Sequence, residues 1–138
     1  MNGLAAARAV VFDLDGTLVD SAHDLADAVN EVLDQRHLPQ WPVATIRRWI
    51  GEGAERLMER ALVGGDSERR PAAEETARAV SEFRAIYLGR CTAHTTLYPG
   101  AIEALVAART AGLPTAILTN RWQVAPPRTA GGSWFLYR

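Results

Sequence analysis

Apolar positions along the chain follow two kinds of pattern. From Arg8 to Phe12 they form a short continuous run that ends in acids and a glycine, as a strand buried on both faces of a parallel sheet does. Thr115-Ala-Ile-Leu-Thr119-Asn120 is a second run of this kind with a polar end. Between them the spacing is helical. Leu25, Val29, Val32 and Leu33 form one apolar stripe behind Ser21 and Asp24, which have the spacing of a helix cap with an acid at its third position. Pro39 and Pro42 bracket a break around Trp41. A second helical stretch runs from about Val43 to Ile50 and stops at Gly51-Glu52-Gly53. A third carries Leu57, Met58, Ala61 and Leu62 and ends at Gly64-Gly65. A fourth begins near Pro71 and sets Ala73, Thr76, Val80, Phe83 and Tyr87 on one side. No strand is predicted between residues 21 and 93.

After Tyr98-Pro99-Gly100, the positions Ile102, Leu105, Val106 and Arg109 predict a helix closed by Gly112 and Pro114. Strand, helix and strand in this order predict a right-handed parallel crossover, interrupted after its first strand by an all-helical insert. The expected fold class is therefore α/β: a partial, Rossmann-like parallel-sheet core from residues 1–20 and 96–121, with a helical insert at 21–95. Residues 122–138 fit neither helical nor strand periodicity and read as an irregular tail.

Composition adds limits. At 138 residues, 48% hydrophobic and 22% charged, the chain has the profile of an ordinary globular protein of one modest domain or two small units. A net charge of −1 with mixed signs gives no reason to expect nucleic acid or a membrane surface as partner. The single cysteine, Cys91, excludes an internal disulfide and suits a reducing compartment. The stretch from Leu4 to Phe12 is too short to span a membrane and lacks a signal-peptide layout, so a cytoplasmic protein is expected.

The candidate chemistry lies at the end of the first strand. Ligands of parallel sheets bind beyond the carboxyl ends of the strands. Asp13 stands at that end, and Asp15, two residues on, can turn its carboxylate to the same side. Gly16 permits a sharp turn, which would leave backbone N–H groups and the Thr17 hydroxyl free for phosphate oxygens. A divalent cation would relieve the repulsion between the two carboxylates, and oxygen ligands suit Mg²⁺. Asp13 can then attack phosphorus, Asp15 can act as general acid and base, and Thr119 and Asn120 can hydrogen-bond the transferring group. Taken alone, Asp-x-Asp-Gly is as readily a turn or a calcium-loop fragment; the preceding strand and the downstream Leu-Thr-Asn favour the catalytic reading.

Phe12-Asp-Leu-Asp-Gly-Thr-Leu-Val-Asp20-Ser21 resembles the first motif of the haloacid dehalogenase superfamily, and Ile117-Leu-Thr-Asn120 resembles its second. The helical insert resembles the small cap of one branch of that superfamily. Within it, the segment from Trp49 to Leu62 is similar to the cap of bacterial phosphoglycolate phosphatases. The resemblance covers about residues 8 to 121. It implies Mg²⁺-dependent hydrolysis of a small phosphorylated metabolite, with 2-phosphoglycolate the expected substrate. Another sugar-phosphate phosphatase or a phosphomutase is the alternative within the superfamily. The dehalogenase branch lacks the second aspartate, so Asp15 favours phosphoryl transfer.

The resemblance also implies two later motifs, a lysine and a further acidic group. All fifteen basic residues are arginine, and no acid follows Glu103. Arg121 can lend positive charge but cannot stand for both motifs. Two charges 4 Å apart interact by about 4 kcal/mol at an effective dielectric of 20, so a carboxylate approaching a phosphate depends on nearby cations. Weak metal affinity and reduced turnover are expected, and a truncated, catalytically inactive chain is the non-enzymatic alternative. The expectation for residues 121–138 is a shifted or wrongly ended reading frame.

Smaller signals have plain readings beside their functional ones. Gly51 and Gly53 are a substrate-facing cap loop by resemblance and a simple turn without it. Arg60 reads equally as a substrate contact or a solvated helix residue. His23, His37 and His94 read as surface residues, Cys91 as a small packed residue, and Trp41 and Trp49 as cap packing.

Overall fold

Val10-Val-Phe-Asp13 and Thr115-Ala-Ile-Leu-Thr119 lie side by side as parallel strands in the computed structural model of the chain, which describes residues 7–66, 68–90 and 93–119 and the backbone of 134–137. In chain order the elements are β1 (Val10–Asp13), β2 (Val19–Asp20), α1 (Ala22–Asp34), α2 (Val43–Arg47), α3 (Ala54–Leu62), α4 (Ala73–Arg90), β3 (Thr96–Leu97), α5 (Ala101–Thr110), β4 (Thr115–Thr119) and β5 (Trp134–Tyr137). They divide into two compact units, Met1–Asp20 with Thr96–Arg138, and Ser21–Thr95.

In the first unit β1 pairs with β4 in the register Val10↔Thr115 to Asp13↔Leu118, and β4 pairs in turn with β5, also parallel. The sheet order is β1-β4-β5, so β1 is at the edge among the described strands. Strand β5 corrects the expectation of an irregular tail. Trp134-Phe-Leu-Tyr137 is too short to show a period beside its Gly and Pro neighbours, but it consists of residues that favour strands. Its backbone also supplies partners for the N–H and C=O groups along the open side of β4. A separate two-stranded ladder pairs β2 with β3, antiparallel, through Val19↔Leu97 and Asp20↔Thr96.

Helix α5 ends as its glycine predicts. Gly112 takes a positive φ of 69° and donates its N–H to the Arg109 carbonyl, while the Leu113 N–H reaches Ala108, satisfying the last carbonyls of the helix. Its apolar face is distributed otherwise than the spacing suggests. Ala101 and Ala108 are buried, whereas Ile102 and Val106 are exposed.

The second unit has a core of its own. Leu25, Val29, Val32 and Leu33 of α1 pack with Ile46 of α2, with Leu57, Met58 and Ala61 of α3, and with Val80, Phe83 and Tyr87 of α4. Trp41 and Trp49 close its side edge-to-face, ring centroids 5.7 Å apart. Asn30 and the Trp41 backbone exchange two hydrogen bonds of 2.9 Å, and the Trp41 indole N–H donates to the Ala61 carbonyl at 3.1 Å. Both tryptophans are packing residues here.

Two local expectations need correction. Ser21 makes no side-chain capping bond to α1, and Asp24 is turned instead toward residues 94–95. Ala73 is exposed, because the buried stripe of α4 begins one turn later at Thr76. Among the described residues no helix is long and apolar enough to cross a membrane.

Candidate active site

Strand β1 ends on Asp13, which is exposed. Its register partner is Leu118, and Thr119 is the next residue along β4. The adjacent parallel strands therefore bring Asp13 and Thr119 to the same, carboxyl end of the sheet, where open α/β sheets bind ligands. Thr119 is buried, in contrast to Asp13. Asn120 lies outside the described residues.

Beyond Asp13 the chain turns tightly. The Leu14 carbonyl accepts from the N–H groups of Thr17 (3.2 Å), Leu18 (2.9 Å) and Val19 (3.0 Å). Gly16 has a φ of 82°, a backbone conformation that a side chain would strain. Its N–H donates to the Val19 carbonyl at 2.9 Å, and Asp15, half-buried, is bridged to Val19. This corrects the expectation that the turn leaves its backbone N–H groups free for phosphate. Those of Gly16 and Thr17 are spent within the turn, because a loop closing on itself pairs its own polar groups. Thr17 itself is exposed, with its side chain at the surface of the turn.

The glycines and arginine singled out in the insert fall together in the helical unit. Gly51 and Gly53 have positive φ values of 119° and 90° and flank Glu52. Arg60 donates to the Glu52 carboxylate at 2.5 Å and to the Trp49 carbonyl at 3.4 Å. The Arg60 guanidinium holds the Glu52 carboxyl below the usual carboxylate range, with Arg56 adding to the effect. Arg60 thus ties α3 back onto the loop before it. A glutamate inside a Gly-x-Gly turn with an arginine eight residues on is the signal of this pair in the sequence.

One group was missed altogether as a site of interaction. Asp24, with its side chain 1% exposed, accepts from the backbone N–H of His94 at 2.8 Å and from the Thr95 hydroxyl at 2.5 Å. Burial pushes its carboxyl up, but these two bonds and the His94 imidazole outweigh burial and hold it below its ordinary value. His94 is exposed, as expected of a surface residue, and its ring lies 3.3 Å from Asp24 and 3.7 Å from Asp27. His23 and His37 are exposed, and Cys91 lies outside the described residues.

Among the described residues no three His, Cys, Asp or Glu side chains are grouped to hold a metal ion. Asp13 and Asp15 are the carboxylates at the sheet tip. Such a pair fits Mg²⁺, which takes one or two protein carboxylates and completes its shell with water and substrate phosphate.

A family model described as haloacid dehalogenase-like hydrolase matches residues 7–130, nearly the whole described chain. The chain belongs to this family. Phosphoglycolate phosphatase of Caulobacter vibrioides is 38% identical over 116 residues, covering 81% of this chain and 46% of the relative. That of Psychrobacter arcticus is 40% identical over 114 residues, covering 81% and 50%. The chain thus spans about half the length of the curated relatives it matches. The crystal structure of a protein described as a predicted phosphoglycolate phosphatase, from Haemophilus somnus, superposes with a TM-score of 0.76 at 33% identity, over 94% of this chain and 62% of that one. A Lactobacillus delbrueckii chain shares the fold at a TM-score of 0.78 and 23% identity, over 95% and 64%. The α/β reading of the fold and the haloacid dehalogenase resemblance are both borne out.

Proposed function

We propose that the chain carries the nucleophile part of a phosphate-monoester hydrolase site whose substrate is a small phosphorylated metabolite, 2-phosphoglycolate. The observation that carries this reading is the exposed Asp13 at the carboxyl tip of β1, with Asp15 two residues on in a turn closed on the Leu14 carbonyl. The phosphoglycolate phosphatases among its relatives support the choice of substrate.

In this reading Asp13 attacks phosphorus in line and becomes an aspartyl-phosphate as the alkoxide departs. Asp15 donates the proton that the alkoxide needs, then takes one from the water that hydrolyses the acyl-phosphate. The Thr119 hydroxyl and Asn120 hydrogen-bond the phosphoryl oxygens, with Thr17 at the turn. Asp13 and Asp15 would hold Mg²⁺, which supplies the positive charge that lets a carboxylate approach a phosphate. Gly16 serves by conformation, since its N–H is already bonded. Gly51, Gly53 and Arg60 act in this scheme by shaping the cap loop through the Glu52 pair. The single cysteine accords with a cytoplasmic setting.

A second reading rests on a specific observation: the sequence contains no lysine and no acid after Glu103. On that reading this chain by itself is inactive. Phosphate release from 2-phosphoglycolate with Mg²⁺, compared with Asp13→Asn, decides between them. The phosphatase reading expects release that falls by at least about a thousandfold in the variant, the scale on which loss of an essential nucleophile is felt. Equal release from both proteins contradicts it. The substitution is at an exposed strand tip and should leave stability within about 0.5 kcal/mol, so the loss is chemical. A panel of sugar phosphates separates the 2-phosphoglycolate assignment from another phosphatase or a phosphomutase.

A further inference from the structure

The chain passes between its two units twice, at Asp20–Ser21 and at Thr95–Thr96. On the sheet side the two crossings are paired as β2 and β3, a ladder of only two residues extended by the Tyr98 N–H donating to the Leu18 carbonyl at 3.0 Å. A two-stranded ladder of this length is marginal by itself. On the helical side the same two crossings are joined by Asp24, whose oxygens bind His94 and Thr95 across some seventy residues of sequence.

We propose that Asp24 is the clasp of a two-stranded neck: bonded, it holds the outgoing and returning crossings together, and released, it lets the returning crossing come away and the β2–β3 ladder open. Three observations support this. Asp24 sits in the first turn of α1, where helix-capping duty would be ordinary, yet both its oxygens are directed to the return crossing. Its side chain is almost wholly buried, so a charge is kept out of water there by charge-assisted bonds that are roughly twice as strong as neutral ones. Its carboxyl is held below the ordinary range, so the bonded form favours the carboxylate over the neutral acid. The groups facing it are the His94 imidazole and the Thr95 hydroxyl from the return crossing and the Asp27 carboxylate from α1, with the His23 ring 6.3 Å from that of His94. Arg90 at the end of α4 adds an ion pair to Glu31 of α1 at 2.6 Å. This device is independent of the phosphatase reading.

Amide hydrogen exchange on the full chain tests it, with Asp24→Asn and Thr95→Val as variants. The amides that report are His94, bonded to Asp24, Tyr98, bonded across the neck, and Val32 in the helical core. The clasp predicts exchange at His94 and Tyr98 faster by about tenfold in Asp24→Asn, the factor one hydrogen bond to a charged group carries, with Val32 unchanged. Thr95→Val, which leaves the His94 bond in place, should accelerate Tyr98 by a smaller factor. If Asp24→Asn also exposes Val32, Thr95→Val decides alone. Unchanged exchange at Tyr98 in the folded variants overturns the proposal, and so does acceleration at Val32 equal to that at Tyr98 in Thr95→Val.

Discussion

In the helical unit Leu33, Ile46, Met58 and Val29 are fully removed from solvent, whereas in the sheet unit Val11, Ile102 and Val106 each keep more than half their surface exposed. The helical unit encloses a core from four helices. In the sheet unit, the buried apolar side chains among the described residues are Leu18, Ala101 and Ala108, and among the described strands β1 pairs with β4 alone. The hydrophobic effect therefore acts very unequally on the two. Each fully buried Leu, Val or Met side chain contributes about 1.5–3 kcal/mol relative to exposure, and nearly all of them are in the insert. The candidate acids, by contrast, lie on the unit that is least enclosed. Exposed apolar surface at a sheet edge is also where chains associate.

The largest test of this contrast is a pair of truncations. Leu33→Ala should cost about 2–5 kcal/mol, since a fully buried leucine leaves a cavity behind, while Ile102→Ala should stay within about 0.5 kcal/mol. Urea unfolding midpoints of both variants check it, and equal losses would break the distinction.

Acid should act on the helical unit through Asp24. Its folded-state pKa lies below its unfolded one, so its contribution is complete above the ordinary carboxylate value of 3.8 and is lost as pH falls through the folded value. His94, Asp27 and Thr95 face this group, and a protonated His94 adds attraction to the carboxylate. Stability measured against pH should fall at the acid end in the native chain and less so in Asp24→Asn. Identical profiles would show that Asp24 does not contribute to acid stability.

The smallest expected change is a gain. α1 ends in a motif in which the Leu38 N–H reaches the Leu33 carbonyl and the His37 N–H reaches Asp34, with His37 at a φ of 55°. Glycine adopts that conformation without the side-chain penalty, so His37→Gly should stabilise the helical unit by about 1 kcal/mol. Thermal unfolding reads it, and a loss of stability would contradict it.

Much of this was legible in the sequence because its signals are local. The α1 stripe of Leu25, Val29, Val32 and Leu33 repeats at helical spacing, and the runs ending at Asp13 and Thr119 read as parallel strands without any partner in view. What escaped is non-local or self-satisfying. The bonds of Asp24 join residues 70 and 71 positions away, so spacing suggested a cap instead. The Gly16 N–H is consumed by a turn whose closure no periodicity reveals. β5 is four residues long, too short for alternation to distinguish it from the Gly- and Pro-rich chain before it. The exposure of Ile102 and Val106 depends on what packs over α5, which helical spacing does not encode.

The contrast between a closed helical unit and an open sheet unit that bears the acids can be read in residue-resolved hydrogen exchange of the native chain. Amides of α1, α3 and α4 around Val32, Met58 and Phe83 should be the slowest, and those of β1 and α5 should exchange faster by about a hundredfold or more, as segments that open locally below the global free energy do. Protection in β1 and α5 equal to that of the helical core would contradict it.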